Sequence, residues 1–147
     1  MKYRLVSDAV STFVSMIPEA MAASVHTRMG NMPMVLVPIP LAPRRRKLRG
    51  FNQAELIAKA LGRRWGVPLN TTLLRRVKET IPQVTVEKRD VRFQNMKNAF
   101  FAERMKRCDY GVMLCDDVYT TGATMQNAAG ALKRAGIKYV WGIAMAR

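Results

Sequence analysis

The chain predicts an α/β domain, a parallel sheet flanked by helices, on three observations. Short apolar runs of strand length alternate along it with segments whose apolar residues recur at helical spacing. Its 147 residues fit one domain, 1–147, with little room for a second. Hydrophobic residues make up 49% and charged residues 24%, the balance of a globular chain able to bury a core without a disulfide scaffold.

The elements follow in order. Val6, Ala9, Val10, Phe13 and Ile17 form one apolar stripe, which predicts a helix from about Val6 to Ala23 within an N-terminal helical segment, 1–30. Met34 to Ile39 is continuously apolar, as suits a strand buried on both faces. Pro40 to Gly50 reads as a basic, proline-punctuated loop. Ala54, Ile57, Ala58, Leu61 and Trp65 predict a helix over 52–64 with one buried side, and Asn52 is its expected cap. Thr72 to Val77 predicts a short strand. Residues 79–98 are polar, charged and aperiodic, and are expected to form a long mobile loop. Gly111 to Cys115 is the most strand-like run and stops at Asp116-Asp117. A helix over 122–135, closed by Gly136, and a last strand over 139–145 complete the alternation.

Charge and cysteine content narrow the function. Lys and Arg number 25 against 10 Asp and Glu, a net +15, which calls for an anionic partner: a phosphorylated small molecule, nucleic acid or an acidic surface. Two cysteines, Cys108 and Cys115, with no Cys-x-x-Cys pair, offer neither a zinc ribbon nor a disulfide framework, and a reducing, cytoplasmic setting is expected. Asp8 and Glu19 interrupt the first apolar stretch well short of the roughly 20 residues a membrane span needs. No Walker A, Gly-x-Gly-x-x-Gly or His-Glu-x-x-His pattern occurs.

The chemistry concentrates in the thirteen residues from Val112 to Thr124. In an open α/β sheet, ligands bind beyond the carboxyl ends of strands. Two adjacent carboxylates there are costly unless a cation or hydroxyls meet them. Thr120-Thr121-Gly122-Ala123-Thr124 makes a tight turn opening a helix, whose free N–H groups and hydroxyls form an anion cradle. Diols or a metal beside the acids, with a phosphate in the turn, describe a sugar phosphate. The plainer alternative is an Asp-Asp pair that only caps the following turn.

These thirteen residues resemble the phosphoribosyl-pyrophosphate (PRPP) motif of type I phosphoribosyltransferases. Within that superfamily the chain resembles the ComF/GntX family. The stretches that carry this are Val37-Pro38-Ile39-Pro40-Leu41, Arg49-Gly50-Phe51-Asn52-Gln53, Gln83 with Arg92-Phe93-Gln94-Asn95 and Ala99-Phe100, and Gly142 to Arg147. The resemblance spans essentially the whole chain. It implies that the chain enters the family pattern after an N-terminal zinc module, either as a short form or from an internal start.

The resemblance further implies a type I phosphoribosyltransferase-like fold and a magnesium-dependent pentosyl transfer, linked to DNA uptake or utilisation. Asp116 and Asp117 would bind the ribose hydroxyls and Mg2+, the latter through water. Thr120, Thr121, Gly122, Ala123 and Thr124 would hold the 5′-phosphate. Arg49 and Gly50 take the place of the pyrophosphate loop, and Arg92, with Asp116 and Asp117, is an expected catalytic residue. Lys88 and Arg89 are weaker lid candidates. Hypoxanthine-type salvage enzymes carry an acid where Thr120 stands, which counts against that acceptor. The alternative is a catalytically silent module that binds DNA or the DNA-uptake machinery through its basic surface.

Overall fold

The computed structural model describes residues 2–17, 20, 27, 30, 32–77, 99–106 and 108–146. Helix α1 spans Lys2–Ser15 and strand β1 Met34–Pro38. Helices α2 (Pro43–Arg49) and α3 (Gln53–Trp65) follow. The strands β2 (Arg75–Arg76), β3 (Phe100–Phe101) and β4 (Gly111–Val118), helix α4 (Ala123–Arg134) and strand β5 (Val140–Ala146) complete the order. The expected lid, 79–98, lies outside the described residues, and so does most of the segment from Pro18 to Asn31.

Strands β1, β4 and β5 form a parallel sheet in the order β1-β4-β5. Because side chains alternate across a strand, the register sorts the core into two layers. Val37 lies beside Leu114, and both face α4, β3 and the segment around Leu74. Leu36 lies beside Met113, and both face α1 and α3, where Ile57, Ala58, Leu61 and Val14 meet them. Gly111 to Cys115 is wholly buried, so the central strand is apolar over these five residues. On the outer edge of β1, the Leu36 N–H donates to Pro68 O at 2.8 Å and Leu36 O accepts from the Asn70 N–H at 2.9 Å, which adds a rudimentary parallel neighbour.

Asn52 caps α3 as its position predicts. Its Oδ1 accepts from the Ala54 N–H at 3.1 Å, while Nδ2 donates to Ile39 O at 3.0 Å. The buried amide therefore ties the start of α3 to the end of β1.

Four expectations are corrected. Helix α1 opens at Lys2 and closes at Ser15 instead of running on from Val6 to Ala23; Ile17 precedes a proline, a position that disfavours helical backbone. The basic loop contains a helix, since Pro43 presets its first turn, Arg, Lys and Leu favour it, and Gly50 closes it at φ 78°. The strand expected over 72–77 is only Arg75–Arg76 and pairs antiparallel with Phe100–Phe101, away from the parallel sheet. Strand β4 does not stop at Cys115 but carries Asp116 and Asp117 within it, because β5 keeps pairing with it as far as Val118.

Candidate functional site

The two neighbours β1 and β4 lead to helices on opposite faces of the sheet. After β1 the chain crosses to α3 on the Leu36 side; after β4 it crosses to α4 on the Leu114 side. Such a reversal opens a crevice beyond the carboxyl ends of the two strands. Asp116 and Asp117 stand there, just past Cys115, whose carbonyl accepts the Ile39 N–H at 2.9 Å as β1 runs out.

The acids are met locally by backbone. The Asp117 N–H donates to Asp116 Oδ1 at 2.9 Å, and the Val118 N–H donates to Asp117 Oδ1 at 3.0 Å. Burial pushes the Asp116 carboxyl up to about 7, and the neighbouring Asp117 adds to the rise, while the Asp117 N–H and Arg76 oppose it. Behind it, burial and the Asp116 charge push the Cys115 thiol up to about 12, which leaves that cysteine an inert core residue.

A small concavity joins Asp116 to the turn: Val118, Tyr119, Thr120, Gly122, Ala123, Thr124 and Met125 line it with the acid. Gly122 takes the left-handed conformation, φ 74°, and accepts the Gln126 N–H at 2.9 Å to start α4. A side chain at 122 would also meet the phenol of Tyr119, which would have to shift, so the positive φ and the close approach both favour glycine there. Thr121 Oγ1 accepts the Ala123 N–H at 3.4 Å. Next to this cup lies an apolar groove of about 580 Å³ lined by Tyr119, Met125, Gly142, Ala144, Met145 and Ala146. Tyr119 and Met125 separate the two.

Of the residues singled out from sequence, Asp116, Thr120, Gly122, Ala123 and Thr124 share this cup; Asp117 and Thr121 adjoin it in the chain without lining it. Arg49 and Gly50 do not line it either. Arg49 Nη1 donates to Gln53 Oε1 at 2.8 Å, and Gly50 closes α2 through its N–H to Arg46 O at 2.8 Å. Arg92, Lys88 and Arg89 lie outside the described residues. Among those described, no cluster of three or more His, Cys, Asp or Glu could cage a metal. No described helix is long and apolar enough to cross a membrane.

Sequence reasoning missed Arg76. It is half-buried on β2, its guanidinium carbon 5.3 Å from the centroid of the Phe100 ring. Burial and the nearby Arg45 lower its pKa, and the charge of Asp116 raises it. The signal was available: period-two alternation puts Arg76 on the face of buried Leu74 and turns Arg75 out to solvent.

No protein-family model matches the chain. It is 37% identical over 125 residues to competence protein F of Haemophilus influenzae, covering 82% of this chain and 54% of that protein. It is 36% identical over 133 residues to competence protein ComFC of Bacillus subtilis, covering 88% of this chain and 46% of that one. The DNA utilization protein YhgH of Salmonella typhimurium is 35% identical over 106 residues, 72% of this chain and 46% of that protein. The chain thus spans about half the length of these relatives. Among solved structures, an allosteric regulatory enzyme of purine biosynthesis matches 95% of this chain and 25% of its own, with a TM-score of 0.54 at 14% identity. Glutamine PRPP amidotransferase from B. subtilis, complexed with ADP and GMP, matches 95% of this chain and 26% of its own, with a TM-score of 0.51 at 13% identity. At such identities the likeness is one of fold, and it is the fold that the crevice between β1 and β4 belongs to. On sequence and architecture together, the chain belongs to the ComF family, with competence protein F, ComFC and YhgH, and has the type I phosphoribosyltransferase fold.

Proposed function

We propose that this chain binds PRPP, or a related phosphorylated ribose, and transfers its pentosyl group in a magnesium-dependent reaction that serves DNA uptake or utilisation. The observation that carries the reading is the shared cup, where Asp116 meets the Thr120–Thr124 turn at the end of the central strand. The turn takes the 5′-phosphate on its N–H groups and hydroxyls, and Asp116 and Asp117 accept from the ribose hydroxyls. The apolar groove beyond Tyr119 and Met125 leaves room for the acceptor.

In the transfer, the bond from ribose C1 to a pyrophosphate oxygen breaks, both electrons leaving with the pyrophosphate. A lone pair of the acceptor forms the new bond at C1, and the acceptor's proton passes to solvent. The chain's own part is to hold the ribose between acid and turn and to place positive charge where the pyrophosphate departs. Two adjacent carboxylates, with no cluster of three or more His, Cys, Asp or Glu among the described residues, fit Mg2+, which usually keeps waters and substrate phosphates in its shell. When bound at Asp116 and Asp117, that ion supplies charge neutralisation to the leaving group.

Calorimetry with PRPP, with and without Mg2+, tests the reading. Heat of binding is expected for the wild type, diminished without Mg2+ and lost in Asp117→Asn. A folded wild type with no detectable heat overturns it.

A second reading rests on α2. Pro43 to Arg49 is exposed along its whole length and carries Arg44, Arg45, Arg46, Lys47 and Arg49, a surface suited to sequence-independent phosphate contacts. A silent module using this helix retains DNA in a salt-dependent way, releases no pyrophosphate from PRPP, and its DNA retention ignores Asp117→Asn.

A further inference from the structure

We infer that the outer edge of β5 takes an extended, acidic peptide segment of a partner protein as an added strand. The inference goes beyond the proposed transfer and does not rest on it.

In the order β1-β4-β5 the last strand has a paired neighbour on one side only. The Val112 N–H donates to Tyr139 O at 2.9 Å, and Val112 stands in register with Val140. In a parallel ladder this turns the backbone groups of residues 139, 141 and 143 toward β4. The N–H and C=O groups of Val140, Gly142 and Ala144 then point outward. Among the described residues no strand pairs with them, and Gly142, midway along the edge, is exposed. Natural sheets guard such an edge with charge, proline or a covering element. The strand Val140–Ala146 carries neither a charged residue nor a proline.

Backbone pairing supplies affinity, and the surroundings of the edge choose the partner. From Val118 to Arg147 the sequence holds Lys133, Arg134, Lys138 and Arg147 and no Asp or Glu. Lys133 and Arg134 close α4, and Lys138 lies two residues before β5; all three are exposed. Among the described residues none of the three makes an ion pair. Acidic side chains therefore complement this end of the edge. Beside it the Tyr139 ring stacks on Trp141, with centroids 6.1 Å apart and planes 12° from parallel. Trp141 packs against the α1–α3 layer while Tyr139 stays 52% exposed, a ledge for an apolar side chain. A second copy of the chain is the weaker fit, because it would bring the same all-basic stretch against itself. Gly142 and Ala144 line the acceptor groove next to Met125 of α4, whereas the peptide meets their outward backbone, so one strand presents two distinct surfaces.

The probe is a blocked peptide of alternating valine and glutamate, fluorescently labelled and titrated by anisotropy against the whole chain. Binding is expected, and amide hydrogen exchange should slow at Val140, Gly142 and Ala144. The amides of Trp141 and Ile143, already bonded to β4, should not change. N-methylation of alternate peptide amides should weaken binding by about fivefold or more, the loss of backbone hydrogen bonds. Ala144→Pro removes one outward N–H and no ladder bond, and should act in the same direction. Lys138→Glu should weaken binding as well, and the same peptide with lysine for glutamate should not bind. Lys59→Glu, on the exposed side of α3, reverses a charge elsewhere and should leave binding as it is. If Ala144→Pro unfolds the chain, the methylated peptide and Lys138→Glu still decide. A wild type that does not bind, or binding that ignores methylation and protects none of the three outward amides, overturns the added strand. Equal binding of the lysine peptide overturns the acidic partner. Protection of the same amides that grows with protein concentration alone also overturns the inference, by making the edge an interface between copies.

Discussion

Replacing Asp116 by Asn isolates the cost of holding a carboxylate at the end of the central strand. Burial lifts its pKa from the ordinary 3.8 to about 7. Between those values the folded chain holds a proton that the unfolded chain releases, so folding is favoured on the acid side. Stability then falls as pH rises through this window, and the loss is complete above about 7. A rise of about three units corresponds to about 4 kcal/mol at 1.36 kcal/mol per unit. Solvent reaches part of this side chain, and screening brings the expected effect to about 2 kcal/mol. Asn keeps an oxygen to accept the Asp117 N–H and loses the charge. In urea unfolding followed from pH 4 to pH 8, Asp116→Asn should match the wild type at the acid end and exceed it by about 2 kcal/mol at the basic end. Equal slopes of stability against pH in the two proteins would refute the reasoning, because the carboxyl would then sit in water at its ordinary pKa.

Other expectations follow from single contacts. Asn52→Ala removes the cap of α3 and the tie to Ile39 O together, and urea unfolding should register a loss of about 2–3 kcal/mol; a loss typical of a surface site would show that water replaces both bonds. Gly122→Ala meets an unfavourable φ and the Tyr119 phenol, so its melting temperature should drop, and Tyr119→Ala in the same chain should restore only the steric part. If the second change restores nothing, the phenol is not the obstacle. Leu36→Ala empties a fully buried position between the sheet and α3 and should cost about 3–4 kcal/mol by the same unfolding assay; a value below about 1 would mean that the layer closes over the gap.

The elements that sequence foretold well are those whose residues answer to their own neighbours. The stripe from Ala54 to Trp65 needs only a 3.6-residue period, and Asn52 caps it with a backbone N–H two residues away. The run from Gly111 to Cys115 is apolar on both faces, and the sheet buries it on both. The Thr-Thr-Gly turn sits at the start of α4 because Gly122 can take a positive φ. Elements that escaped depend on partners far along the chain. Arg75 and Arg76 form a strand because Phe100 and Phe101 pair with them, and β4 reaches Val118 because β5 lies alongside. The helix within Pro43–Arg49 was hidden by reading Pro43 as a loop marker when it stands at a first turn.

Local pattern alone therefore determined that this chain builds an α/β sheet with acids and a threonine turn at the end of one strand, since backbone preference and hydrophobic period act over a few residues. Only the tertiary structure decided that Asp116 shares the cup while Arg49 is bound to Gln53, and that Arg76, on another sheet, feels the charge of Asp116. Those placements arise from strand register and from which face each helix covers, and both depend on contacts between residues distant in sequence.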